Sequence, residues 1–231
     1  MKTIGLIGGM SWESSAEYYR ICNETVQSRL GGSHSAKIIM WSVDFAPIAD
    51  LQHEGRWDEL SAILSDAALS LEKAGADMIV ICTNTMHCLA DKIAETVSIP
   101  LIHIADAAAA AVKSDGLKAV GLLGTSFTME QGFYRDRIEK NYDLDVIIPN
   151  AADRDSVHTI IYEELVRGII SETSRQTYQE SVARLVARGA QGIILGCTEI
   201  GLLLRPEDCD VPLYDTAKIH ALAAVEAALK T

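Results

Sequence analysis

The chain has 231 residues, 48% apolar and 23% charged, with a net charge of −12 at neutral pH. That length buries a real core as one large domain or two small ones, and the acidic balance leaves no basic footprint for nucleic acid or an acidic membrane. No apolar run reaches the roughly 18 residues of a membrane span, residues 1–3 lead straight into a strand with no signal peptide, and five cysteines without framework spacing predict reduced thiols and a cytoplasmic protein.

Residues 3–7 read as a short apolar strand that runs into Gly8-Gly9-Met10-Ser11. Ser11 suits the N-cap, and Glu13 and Glu17 suit the first turns, of a helix reaching residue 30. Gly31-Gly32 stops it. Residues 36–45 predict a second strand, and 46–56 a loop with helical turns. A helix over 57–73 carries the apolar stripe Leu60, Ile63, Leu64, Ala67, Ala68 and Leu71. After Gly75 comes an apolar strand ending at Thr83, then a helix over 87–97, a strand over 101–104 behind Pro100, and an alanine-rich helix over 106–114.

The pattern then restarts. Residues 118–125 repeat residues 2–9 at an offset of 116. A helix over 128–141, a strand over 144–148 and helices over 154–168 and 174–188 follow. Gly189 to Glu199 then repeats Gly75 to Thr85 at an offset of 114, so that Cys197 falls on Thr83, Thr198 on Asn84 and Glu199 on Thr85. Val211-Pro212-Leu213 repeats Ile99-Pro100-Leu101 at an offset of 112, and a last helix covers 216–229. Alternating strands and helices imply parallel sheets. The duplication implies an α/β chain of two similar lobes facing each other across a cleft, with residues 1–114 plus 210–231 in the first lobe and 115–209 in the second.

Polar residues at the C-terminal mouths of parallel strands lie where open α/β sheets bind ligands. Thr83-Asn84-Thr85 and Cys197-Thr198-Glu199 supply hydroxyls, an amide, a thiol and a carboxylate there, although Asn, Thr and Glu also serve as helix caps. Gly5-x-x-Gly8-Gly9 is not the dinucleotide fingerprint, and reads better as a tight turn whose backbone N–H groups face an anion. Cys82, His87 and Cys88 lack the second cysteine pair of a zinc set. Side chains alternate along a strand, so Cys82 points away from the mouth that Thr83 faces. Cys22, Cys82 and Cys209 read as packing. His103 and Asp106 fit a core or capping role beside the cleft.

Gly-Leu-Ile-Gly-Gly-Met near the start, Asn84-Thr85-Met86-His87 and Gly196-Cys197-Thr198-Glu199 resemble the aspartate/glutamate racemases over essentially the full length. The resemblance implies two flavodoxin-like lobes related by pseudo-twofold symmetry, with an acidic amino acid between them. It also implies catalysis by two cysteines on opposite faces of the α-carbon, with no pyridoxal phosphate and no metal. Carried over by position, Asn84, Thr85 and Thr198 bind the α-carboxylate and ammonium, Met10 and Gln52 lie near the substrate, Glu199 joins the binding set, and Cys197 is one acid/base. The family's first cysteine is here Thr83, whose hydroxyl is far too weak an acid to stand as a base near neutral pH.

The resemblance therefore implies a lopsided racemase that favours the L-enantiomer, with Cys197 abstracting the proton and the Thr83 side donating one. Arg56 and Arg167 are candidates for the distal carboxylate without support from spacing. A single-cysteine decarboxylase similar to the arylmalonate enzymes, and a non-catalytic acidic amino-acid binder, are the competing readings. Dimers are common among similar proteins, and a homodimer is possible.

Overall fold

Strand β1 (Ile4–Gly8) is buried along its whole length, because helices cover both of its faces. In the computed structural model, which describes residues 1–230, Gly5 faces Leu71 of one helix and Gly8 faces Ser15 of another. The first helix, α1 (Trp12–Leu30), is capped by Ser11, whose side chain accepts the Ser14 N–H. The opposite face packs on α3 (Trp57–Lys73), which buries Leu60, Leu64, Ala67, Ala68 and Leu71. Strands β2 (Ile38–Ser42), β3 (Met78–Ile81) and β4 (Leu101–Ile102) complete a parallel sheet in the order β2-β1-β3-β4.

The second sheet repeats that order. Strands β5 (Ala119–Gly124), β6 (Asp145–Ile147), β7 (Ile193–Gly196) and β8 (Leu213–Asp215) run parallel as β6-β5-β7-β8. Gly121 lies under Leu185 of α9 (Glu172–Ala187), as Gly5 lies under Leu71. The duplicated sequence thus folds into two four-stranded parallel sheets of identical strand order, and the α/β reading holds.

The chain divides into Met1–His103 with the segment from His220 onward, and Ile104–Ile219. This differs from the expected boundaries of 1–114 plus 210–231 and 115–209. Residues 213–215 pair with β7 (Ile193↔Leu213, Leu195↔Asp215), so β8 belongs to the second sheet. Helix α5 (Ile104–Ser114) puts Ile104, Ala105, Ala108, Ala109 and Val112 into the second core. Its Asp106 takes both arms of the Arg137 guanidinium at 2.7 Å. Asp106, expected in a core or capping role, thus serves as the partner of Arg137. The last helix, α11 (Thr216–Leu229), leaves β8 in the second unit and from His220 lies in the first.

Three local expectations change. Residues 45–53 form a full helix, α2 (Phe45–His53), because the Asp44 carboxylate caps it at the Ala46 N–H and Pro47 falls in the first turn, where no donor is needed. Beyond β3, a 3₁₀ segment (Thr85–Leu89) precedes a short α4 (Ala90–Ala94). The helix expected over 128–141 is two, α6 (Ser126–Glu130) and α7 (Gly132–Tyr142), broken where Gln131 turns extended at ψ 143°. Helix α8 (Ala151–Glu163) and the short α10 (Ile200–Leu203) complete the set. None of the helices among the described residues is long and apolar enough to cross a membrane.

A buried histidine ties the chain's last helix to the first sheet. His220 is fully buried; its Nε2–H donates to the Ile102 carbonyl at 2.7 Å and its Nδ1 accepts the Tyr18 hydroxyl at 2.8 Å. The Nδ1 acceptor requires the neutral ring, and burial lowers its pKa from 6.5 to about 4. An unfolded chain would protonate this ring below pH 6.5, while the folded chain resists until about pH 4. Its stability contribution is therefore intact above pH 6.5 and is lost as pH falls towards 4. Denaturant titrations over that window should show a loss on the order of 3 kcal/mol from this group. The His220→Gln variant should be weaker at neutral pH but lack that part of the acid decline. An unchanged acid limb in the variant would contradict the account.

Candidate active site

In the first unit the site begins at the glycine turn after β1. Gly9 has φ +92°, and a Cβ there would sit 2.2 Å from the Val43 carbonyl oxygen, so only glycine fits. Its N–H donates to Ser15 Oγ at 2.8 Å, and that hydroxyl donates to the Ser11 carbonyl at 2.8 Å. Ser14 Oγ donates to the Cys82 carbonyl at 3.3 Å, joining α1 to the end of β3. Beyond the end of β3, Cys82 is fully buried and Thr83 half-buried.

Beyond Thr83 the chain turns at once. His87 is buried, and its Nδ1–H donates to the Thr83 carbonyl at 2.7 Å. The ring lies tilted 4.6 Å from His103 and edge-on 5.5 Å from His220. His87 thus pins the segment that carries Thr83, Asn84 and Thr85, and His103 joins the same ring cluster. Asn84 and Thr85 are themselves 2% and 6% exposed. Gln52, at the end of α2, is buried and donates to Met86 Sδ at 3.0 Å, while Met10 and Met86 share one core cluster. The structure therefore gathers Met10, Gln52, Thr83, Asn84 and Thr85 around one strand end.

In the second unit the thiol has a carboxylate partner. Cys197 Sγ donates to Glu199 Oε2 at 3.0 Å, and Thr198 Oγ1 donates to the same oxygen at 2.8 Å. Glu199 is 4% exposed and Cys197 is 8% exposed. Burial pushes the thiol well above its ordinary value, and the Glu199 charge and hydrogen bond push it further. The resting group is a protonated thiol held against a carboxylate. The contact turns the Glu199 carboxylate toward its own turn.

Sequence reasoning missed the residues behind this pair. Tyr162, on α8, lies within electrostatic reach of both Cys197 and Glu199, and burial raises its pKa. Its ring is 4.8 Å from His158, whose Nδ1 accepts the Ser126 N–H at 3.2 Å. No spacing signal marks Tyr162. Glu199 stood in the sequence as a carboxylate of the binding set, two residues beyond the cysteine, and not as the thiol's partner. Arg56 is engaged by Glu54 and Glu59, and Arg167 by Glu163 at 3.2 Å, all on the surface. Among the described residues no cluster of three or more His, Cys, Asp or Glu is arranged to hold a metal ion.

Two parallel-sheet units, each closing its third strand on a polar turn, with a thiol in one and a hydroxyl in the other, define an α/β chain of racemase type. Residues 7–224 match the family model described as Asp/Glu/Hydantoin racemase, and the chain belongs to that family. A candidate Asp/Glu racemase from Yersinia pestis has a crystal structure 55% identical to this chain, with a TM-score of 0.93 and complete coverage of both. An aspartate racemase homologue from Pyrococcus horikoshii is 33% identical, with a TM-score of 0.86 and the same coverage. The broad specificity amino-acid racemase RacX of Bacillus subtilis is 23% identical over 96% of each chain.

The Cys197–Glu199 contact has a measurable sign. Glu199→Gln removes a charge and an acceptor that both hold the thiol protonated, so the thiolate should form at lower pH. Ultraviolet titration of the thiolate, in a background with Cys88 and Cys209 changed to Ser, should show the midpoint moving down. A midpoint that stays put or rises would mean the carboxylate does not govern the thiol.

Proposed function

We infer that the chain is a cofactor-independent racemase of acidic amino acids, aspartate or glutamate, working by proton transfer with Cys197 on one side of the α-carbon and Thr83 on the other. The observation that carries this reading is the Cys197 Sγ–H···Glu199 hydrogen bond at 3.0 Å, at the position equivalent to Thr83 in the repeat. Glu199 takes the thiol proton as substrate arrives, the thiolate removes the α-proton, and the carbanion is reprotonated from the Thr83 side. The Thr83 hydroxyl gives that proton directly or relays it from water. Asn84, Thr85 and Thr198 would hold the α-carboxylate and ammonium, with Met10 and Gln52 beside them. Donors aimed at the carboxylate stabilise the charge that develops when the proton leaves. The reaction needs neither pyridoxal phosphate nor a metal.

A base on one face reaches the α-proton of one enantiomer only. By family resemblance the second-unit cysteine serves the L-form, so L-substrates should turn over much faster than D-substrates. The equilibrium itself is unaffected, because a catalyst cannot move it, and the asymmetry appears in the rates. A wider range of amino-acid side chains is the second reading. It is favoured because both arginines considered for the distal carboxylate are held by glutamates.

Incubation in heavy water tests the class. A racemase exchanges the α-proton of L-aspartate or L-glutamate for deuterium, a decarboxylase releases carbon dioxide from a malonate, and a binder does neither. The same assay over a panel of neutral amino acids separates the two ranges. Cys197→Ala should abolish exchange while the protein remains folded and binds substrate. Glu199→Gln should lose on the order of 10²-fold in turnover despite a more acidic thiol, since a general base is removed. Thr83→Cys should raise the initial rate on D-substrates towards the L-rate, read by circular dichroism. Equal wild-type rates on both enantiomers, or no gain on the D-form in that variant, would refute the opposing role of Thr83.

A further inference from the structure

Among the described residues every arginine but one lies within 4.0 Å of a carboxylate. The exception is Arg188, the exposed C-cap of α9. Acidic side chains outnumber basic ones by 32 to 20, so a guanidinium that meets none of them stands in surroundings that keep them away. Arg188 donates from Nη1 to the Ile148 carbonyl at 2.7 Å, and no other protein acceptor among the described residues engages it. It borders a groove of about 540 Å³ between the end of β6, the first turn of α8 and the last turn of α9. Ile148, Pro149 and Leu185 give the groove an apolar wall, and Arg154 and Arg184 stand around it with Arg188.

We propose that this groove binds a small carboxylic acid with an apolar body, its carboxylate on Arg188 and its body against Ile148, Pro149 and Leu185. Charge selects the headgroup. Asp153, the one carboxylate in the wall, is held by Arg184 at 2.7 and 2.9 Å and by the Asn150 amide at 2.9 Å. Arg154 donates to Glu130 at 2.6 Å and to the Pro149 carbonyl at 2.9 Å. Glu180 comes within 3.5 Å of Arg184, but its side chain is 69% exposed and water screens it. One positive charge is left at the groove, that of Arg188, and a single negative charge balances it. A phosphate monoester is nearly a dianion at neutral pH and would bring a charge that nothing here meets. With Nη1 turned to Ile148, the edge formed by Nε and Nη2 stays open. Two parallel N–H groups lie along such an edge, which suits the two oxygens of a carboxylate.

The walls are set before any ligand arrives. The Arg184–Asp153 pair ties α9 to α8, and the Arg188–Ile148 bond ties α9 to the end of β6, so little ordering remains to oppose binding. The volume falls within the range of small-molecule sites. A cation at a helix C-terminus also meets the helix dipole. That accounts for a charge at the end of α9, but not for the apolar wall beside it or for the lack of a carboxylate. Arg188 precedes β7 and Cys197 follows it, so the groove and the thiol lie at opposite ends of that strand. The two sites are distinct.

Calorimetric titration of the full chain with octanoate tests the inference apart from any turnover. Octanoate should bind at one site per chain with a submillimolar dissociation constant, undisturbed by saturating L-aspartate or L-glutamate. Acetate keeps the headgroup and lacks the body, octanol keeps the body and lacks the charge, and inorganic phosphate carries the wrong charge. Each should bind at least tenfold more weakly. Arg188→Gln should weaken octanoate binding at least tenfold, and Arg188→Lys, which keeps the charge but not the fork, should weaken it less. Ala187→Glu, at an exposed position of the groove wall, places a competing carboxylate beside Arg188 and should also weaken binding tenfold or more. All three variants should keep the wild-type far-ultraviolet dichroism. A wild type that does not bind octanoate would overturn the proposal. So would undiminished binding in the folded Arg188→Gln and Ala187→Glu variants, displacement by L-aspartate or L-glutamate, or phosphate binding as tightly as octanoate.

Discussion

The close approach of β5 and β7 at their C-terminal ends decides where the chemistry of the second unit stands. A Cβ on Gly124 would come 2.7 Å from the Gly196 carbonyl oxygen, and one on Gly196 would come 2.9 Å from that of Leu123. Only two glycines let the strands meet so closely. Thr125 and Cys197 therefore leave adjacent strands side by side, Thr125 as the N-cap of α6 and Cys197 two residues before Glu199, the N-cap of α10. In the first unit Gly8 and Gly9 yield instead to α1 and to the residue after β2, where Ser15 and Val43 occupy the space that side chains would need. Packing fixes the backbone first, and the reactive groups inherit their places from it.

Within that frame the two strand ends differ in chemistry more than in shape. One presents a half-buried hydroxyl on a segment pinned by His87. The other presents a thiol that burial and Glu199 keep protonated. A thiol of this kind is a poor base until its proton has somewhere to go, and the Glu199 carboxylate lies 3.0 Å from its sulfur. The duplication kept the scaffold and let the acid–base properties of its halves diverge. Family membership and full-length likeness to racemase structures set the reaction class, while the pairing of Cys197 with Glu199 describes how this chain would perform its share of it.

Much of this was legible in the residues. Offsets of 116, 114 and 112 between repeated strands announced two like sheets, and their strand orders are identical. The same repeat also held the correct boundary. Val211-Pro212-Leu213 matches Ile99-Pro100-Leu101, so each fourth strand should stay with its own sheet, as β8 does with β7. What the pattern could not show is that the helix after each fourth strand packs with the other unit's residues, because an alanine-rich helix such as α5 suits either core. The break at Gln131 was hidden because α6 and α7 both read as helix, and a single extended residue leaves no periodic trace. Glu199 was visible as a carboxylate but not as a partner. Which way a side chain turns from a strand end depends on packing, and spacing does not report it.

The placement of α11 bears on how the chain is made. The second unit is one continuous stretch, Ile104–Ile219, whereas the first is completed by the segment from His220 onward. Until that segment leaves the ribosome, Tyr18 lacks its His220 partner, Cys22 lacks the Ala221 carbonyl and Lys2 lacks that of Ala228. The half begun first is thus the half completed last. The half made second holds its whole fold in one piece, and the half made first waits for the last turns of the chain, its α1 face open to chaperones in the interval.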